Sequence, residues 1–210
     1  ASAEEGHLDV SCLGTFLMKW LIPRLHRFRQ SHPAITIRLS TADTPVDFSR
    51  ESFDVAIRVG AGPWPEDAEV IPLFAERFGP VCSPKLGAGP DNLFSLPMLQ
   101  TQTRRSAWSD WCERAAVDVE LRPASEFEHF YFMLEAAVGG LGVGIAPWPL
   151  VADDIAAGRL VAPYGFIDSG QDYVTLRRRN HNRKAEAFCS WLHDVAAEFP
   201  SGPEPAGSTT

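Results

Sequence analysis

Cysteine is scarce in this chain, and its four copies are spread too widely to act together. Cys12, Cys82, Cys112 and Cys189 form no Cys-x-x-Cys pair, and no histidine cluster joins them. That spacing argues against a zinc site or a disulfide framework and for reduced, mostly buried thiols. Positive charge is short too: 19 Lys and Arg face 27 Asp and Glu, a net charge of −8. A surface this acidic repels phosphate backbones, so the chain alone is a poor match for nucleic acid and for anionic membranes. No long apolar run is present. Met133 to Leu150 is broken by Glu135, Gly139, Gly140, Gly142, Gly144, Pro147 and Pro149. It reads as helix, turn and strand rather than a membrane span. The first residues, Ala1-Ser2-Ala3-Glu4-Glu5, are polar and acidic, unlike a signal peptide.

Catalytic motifs are missing as well. There is no Gly-x-Ser-x-Gly, no phosphate loop and no His-Glu-x-x-His. Gly140-Leu141-Gly142-Val143-Gly144 has dinucleotide-like glycines in the wrong order. That fingerprint needs strand, glycines, helix, whereas here the glycines leave a helix and enter a strand. A helix C-cap and close strand packing are the expected uses. No nucleophile, base and orienting group stand at a recognisable spacing. No catalytic residue, metal or cofactor is therefore expected.

What is present is alternation. Leu8–Cys12 reads as a strand. Phe16, Leu17, Trp20, Leu21, Leu25 and Phe28 recur at helical spacing, with Pro23 expected either to kink that helix or to start its second part. Residues 35–39 and 53–59 read as strands, with room for a short helix between Thr44 and Ser52. Strands are expected over 70–74 and 78–82, then at 98–101, 126–127, 142–146, 160–162 and 173–177. Helices are expected over 107–116, 129–138, 149–157 and 184–199. Alternating β and α implies right-handed crossovers and a mostly parallel sheet. At 210 residues and 45% hydrophobic, the chain suffices for one large domain or two small lobes. The Pro, Gly, Ser and Thr after residue 199 predict a disordered tail over 200–210.

The stretch Leu8 to Phe16 passes from extended chain through a small-residue turn into a helix, a common place for a ligand. Thr15 is a good N-cap by its hydroxyl. Asp47 has the same use at a helix beginning near Phe48. Arg58 leaves a strand beside the Gly60 loop and reads as a solvated edge charge, and Arg104-Arg105 read as a solvated loop pair, with attraction of an anion as the alternative. His129 opens a helix inside an aromatic run, His129-Phe130-Tyr131-Phe132. It is either an exposed helix-start residue or a ligand contact where free amides favour anions.

Gly14-Thr15-Phe16, followed by Trp20-Leu21-Ile22-Pro23-Arg24-Leu25 and Phe28, resembles the opening of the effector-binding domain of LysR-type bacterial transcription regulators. Phe53-Asp54-Val55-Ala56-Ile57-Arg58, Cys82-Ser83-Pro84, Met133 to Ala137, Gly140 to Pro147 and Gly158-Arg159-Leu160-Val161 follow in the family's order. The resemblance spans about residues 6–199 and is strongest to the branch of AmpR and GcvA.

It implies an α/β, type II periplasmic-binding-protein-like fold: two Rossmann-like lobes joined by two crossing strands. The first lobe is expected at 6–80 plus 163–199 and the second at 82–161. It also implies an effector in the interlobe cleft. The positions it points to, with those singled out above, are Cys12, Gly14, Thr15, Phe16, Asp47, Arg58, Gln102, His129, Phe130 and Tyr173. Where AmpR has a serine at the start of the second-lobe helix, this chain has the bulkier His129-Phe130.

A full regulator of this type also has an N-terminal winged helix-turn-helix, and none is found in these residues. The expected partners are a small-molecule effector and a second copy as a homodimer. In the full-length protein they are a tetramer, promoter DNA and RNA polymerase. A cytoplasmic location without membrane contact goes with this. Two rivals share the scaffold. One is a solute-binding protein of a transport system, against which four unpaired cysteines argue. The other is an enzyme, with His129, Cys12 and Asp47 as its only candidate groups.

Overall fold

A computed structural model describes residues 5–205. In chain order the main elements are β1 (Gly6–Cys12), α1 (Gly14–Phe16), a π turn (Leu17–Leu21), α2 (Ile22–Ser31), β2 (Ile35–Thr41), β3 (Val55–Gly60) and β4 (Ala68–Val81). They continue with β5 (Met98–Thr101), α3 (Ala107–Ala115), β6 (Pro123–Phe127), α4 (Phe130–Val138), β7 (Val143–Pro147), α5 (Ala152–Ala156), β8 (Ile167–Arg178) and α6 (Arg183–Ala197). The described residues fall into two compact units. One holds residues up to 75 together with 170–200; the other holds 76–169 and the residues from 201 on.

In the first unit the strand order is β2-β1-β3-β8. β1 is parallel to β2 and β3, while β3 is antiparallel to β8. Leu8, Val10 and Cys12 alternate along β1 and are wholly buried. The helical face of Phe16, Trp20, Leu21 and Phe28 is buried as its spacing predicts. Pro23 starts the second part of the helix: it stands in the first turn of α2, and in the π turn before it the N–H of Ile22 reaches the carbonyl of Leu17. Proline has no N–H, and its ring crowds the carbonyl four residues back, so a wider turn precedes it. Phe16 stacks between Trp20 (4.9 Å) and Tyr173 (4.8 Å).

In the second unit the order is β4-β7-β5-β6. β5 is parallel to β6 and β7; β4 is antiparallel to β7. Its core gathers Phe78, Leu93, Trp108, Trp111, Val143 and Ile145. Trp108 satisfies its indole N–H on the Leu99 carbonyl at 2.9 Å. The glycines at 142 and 144 serve close packing, as their order implies. A Cβ on Gly142 would lie 2.2 Å from the Pro97 carbonyl oxygen, and one on Gly144 2.7 Å from the sulfur of Met133.

Several expectations need correction. Thr44 to Ser52 forms no helix. The Asp47 carboxylate accepts hydrogen bonds from the Ser49 N–H (2.9 Å) and hydroxyl (2.5 Å), closing a single turn. Such a side-chain turn competes with a helix for the same backbone. The strands expected at 70–74 and 78–82 are one strand, β4, which crosses from the first unit to the second. The polar break at Glu76-Arg77 is bridged because both side chains find partners. Glu76 is 1% exposed and pairs with Arg104 at 2.5 Å. Arg104, itself only 14% exposed, is therefore no solvated loop residue. β8 begins at Ile167, well before Tyr173, and also passes between units. Residues 160–162 contribute a single bridge, Val161 to Cys82. The segment 201–205, expected as unstructured tail, is held by the second unit: Glu204 pairs with Arg77, and Pro203 accepts the Phe166 N–H. Residues 206–210 of that tail lie outside the described residues.

All four cysteines are buried and free. Burial pushes the thiols of Cys12 and Cys189 up to about 12, and raises those of Cys82 and Cys112. A thiol reagent at pH 8 is expected to leave the native protein almost unlabelled and to label all four cysteines after unfolding. The sign of the pH effect follows. Above the ordinary thiol value of 9.0 the unfolded chain loses protons that Cys12 and Cys189 keep until about 12. Their contribution to stability is therefore complete below pH 9 and falls away between 9 and 12. Urea midpoints measured across that range test it.

Candidate functional site

In the first unit the site residues converge on the C-terminal ends of β1 and β3. β1 ends at Cys12, and the helix starts two residues later. The N-cap is Leu13, extended at φ −62°, ψ 130°, with no side-chain hydrogen bond to the helix. Thr15 is thus not the cap its hydroxyl suggests; it sits inside the first turn, 8% exposed. An N-terminus without a side-chain cap leaves amide donors and a partial positive charge at that turn.

Arg58 adds a full charge. It is 4% exposed, and its guanidinium donates to the Thr44 carbonyl (3.1 Å), the Ile57 carbonyl (3.0 Å), the Ser11 carbonyl (3.3 Å) and the Ser11 hydroxyl (2.9 Å). These bonds tie β1, β3 and the chain after β2 together. Burial lowers the Arg58 pKa, while Cys12, Glu51 and Asp43 oppose that shift. No carboxylate lies within ion-pair distance of Arg58 among the described residues. A buried cation beside an uncapped helix start favours a negative or strongly polar group. The sequence did not single out Ser11. The signal available was a lone serine in an apolar strand, buried and holding one end of this network.

The other first-unit candidates are placed differently. Cys12 is fully buried, with its thiol protonated. Phe16 and Tyr173 are 1% and 2% exposed, stacked on each other. They form the packed wall behind the turn. Gly14 has ordinary space, since a Cβ there would lie 3.8 Å from Thr41. Asp47 is half exposed and engaged with Ser49, whose hydroxyl and N–H hold its carboxyl below the usual range.

The second unit has its own strand-end cluster. The β5–β6 pairing sets Thr101 opposite Phe127 and so brings Gln102 toward the loop leading to α4. Gln102 donates to Glu126 at 2.8 Å, and Thr103 donates to the Glu128 carbonyl at 2.9 Å. Glu126 also meets Arg105 at 3.4 Å. His129 is the N-cap of α4 but makes no side-chain cap bond. Its ring stacks on Tyr131 at 5.1 Å and lies 3.6 Å from Glu128, nearly half exposed. Phe130 is 8% exposed and packs inward. Glu126 and Thr103 were missed in the sequence, being ordinary polar residues until the strand pairing brings them beside Gln102. No group of three or more potential metal ligands exists among the described residues.

The LysR substrate binding domain family matches residues 1–197. The chain belongs to this family. It is 40% identical over 193 residues to the HTH-type transcriptional regulator TrpI of Pseudomonas aeruginosa, a match covering 88% of this chain and 65% of TrpI. It is 32% identical over 211 residues to the glycine cleavage system transcriptional activator of Escherichia coli K12, covering 94% of this chain and 67% of that protein. The effector domain of AmpR from Pseudomonas aeruginosa superposes with a TM-score of 0.78 at 32% identity, covering 92% of this chain and 97% of that one. This LysR-type chain therefore has the periplasmic-binding-protein-like α/β fold of the family and is an effector-binding domain. Its relatives are transcription regulators, not transport proteins, which removes the solute-binding rival. It spans about two thirds of the length of the regulators it matches. Among the described residues no helix is long and apolar enough to cross a membrane.

Proposed function

We propose that this LysR domain senses a small effector bearing an anionic or strongly polar group, which Gly14 and Thr15 receive at the uncapped helix start. The observation that carries the reading is Arg58, a buried cation at the same strand ends with no carboxylate within ion-pair distance among the described residues. Gln102, His129 and Phe130 are the residues proposed for effector recognition within the second unit. Cys12, Phe16, Asp47 and Tyr173 shape the surroundings. No cofactor is required, and the domain is not an enzyme. Cys12 stays protonated, Asp47 is held by its own turn, and His129 has a carboxylate neighbour but no nucleophile. In the intact regulator the effector biases an existing equilibrium of conformations. That in turn controls promoter DNA binding and contact with RNA polymerase by a tetramer in the cytoplasm. The isolated domain is a homodimer; sedimentation showing only monomer at high concentration overturns that part.

Thermal unfolding against amino acids, cell-wall fragments, aromatic acids and β-lactams tests the reading, repeated with Thr15→Val. A cognate ligand at one hundred times its dissociation constant adds about 2.7 kcal/mol to the wild type. The expected result is a raised midpoint in the wild type and a much smaller rise in the variant. Equal rises in both proteins place the ligand elsewhere.

A further inference from the structure

The second unit holds a short peptide that belongs to the chain itself. From Ser201 on, the chain is part of this unit, although it arrives from α6 of the other. Arg77 of β4, 16% exposed, is aimed at it. Its guanidinium donates to both carboxylate oxygens of Glu204 (3.0 and 2.9 Å), to the Ser201 carbonyl (3.0 Å) and to the Phe166 carbonyl. The Phe166 N–H returns a bond to the Pro203 carbonyl at 3.1 Å.

The floor is cut to the peptide's backbone. Gly165 has φ +65°, and a Cβ there would lie 2.3 Å from the Glu204 carbonyl oxygen. Gly79 beneath has no room either, with a Cβ 2.1 Å from the Gly165 oxygen. Gly202, at φ +84°, lies flat on the indole of Trp148, where a Cβ would meet ring atoms at 2.8–3.0 Å. Trp148 in turn packs on the wholly buried Phe166 at 5.2 Å.

We propose that Arg77, Gly165, Phe166 and Trp148 form a peptide-binding groove whose ligand class is a Gly-Pro-acid segment. The chain's own Ser201–Glu204 occupies it in cis. Each ligand residue has a reason. Glycine is the only residue thin enough for the indole face at that φ, and proline fixes its own φ in advance while still offering its carbonyl. The acid meets a guanidinium in two-pronged geometry. The groove holds its ligand by a few surface contacts, since the Glu204 side chain remains 69% exposed. A tethered segment enjoys a millimolar effective concentration, so a free peptide of the same chemistry needs a similar concentration to compete.

The Phe166 amide reports occupancy directly. Hydrogen exchange is measured on the full chain and on Glu204→Ala, a substitution at an exposed side chain that leaves the fold intact. The expected result is exchange at Phe166 about tenfold faster or more in the variant, with α4 and β7 unchanged. Glu204→Gln, which keeps shape without charge, falls between. Adding the capped peptide Ser-Gly-Pro-Glu-Pro at millimolar concentration to Glu204→Ala restores protection, and Ser-Gly-Pro-Ala-Pro does not. Identical exchange in wild type and Glu204→Ala overturns the proposal. So does equal protection by the two peptides, which means a sticky surface without recognition.

Discussion

Arg104→Gln is expected to destabilise the protein by about 3–5 kcal/mol, read as a drop in the urea midpoint at unchanged slope. Glu76 is 1% exposed, and the Arg104 guanidinium is its ion-pair partner at 2.5 Å. Removing one partner of a buried pair leaves the other charge in a medium that cannot solvate it, which costs more than the pair itself contributes. Arg104 also lies over the Phe78 ring at 5.0 Å and approaches Asp110 at 3.9 Å, so packing is lost along with charge. The double variant Glu76→Gln with Arg104→Gln is expected to recover a large part of the loss, because no unpaired charge then remains. A single variant within about 0.5 kcal/mol of wild type, as for a solvated arginine, would falsify the buried-pair assignment.

Gly142→Ala should cost about 3 kcal/mol or more, at the upper end of what overpacking does in a dense interior. Its Cβ would stand 2.2 Å from the Pro97 carbonyl oxygen and 3.0 Å from the Pro97 carbon. Those atoms are backbone and cannot swing aside. β7 would have to move off β5, straining the Val143 N–H to Pro97 bond of 2.9 Å and the Met98–Val143 pairing. Gly140→Ala is a useful contrast: its Cβ meets nothing within 4 Å, but its φ of +84° still strains an alanine. It should cost about 1–2 kcal/mol. Chemical denaturation of the two variants side by side separates contact from conformation. A Gly142→Ala midpoint above that of Gly140→Ala would sink the close-approach argument.

Much of the fold is legible in the residues because burial imposes a period. The β1 alternation and the helical spacing from Phe16 to Phe28 identify their elements, and the order of the glycines at 140–144 rules out a nucleotide loop. The site is less legible. Thr15 and Arg58 could be named from the chain, but their roles could not. Thr15 looks like a cap, and only the extended Leu13 shows that it is not. Arg58 looks like an edge charge, yet it is sealed among carbonyls of three separated segments.

By itself, then, the sequence determined the alternation of strand and helix, the family, the buried state expected of its cysteines and the stretch that opens the candidate site. Those properties depend on neighbours within a few residues, or on composition summed over the chain. Tertiary structure alone decided the continuity of β4 through Glu76-Arg77, the pairing of Glu76 with Arg104, and the seating of Ser201–Glu204 on Arg77 and Trp148. Each of these joins residues far apart in the chain. Nothing local in a glutamate or arginine tells whether its partner will be water or a buried opposite charge.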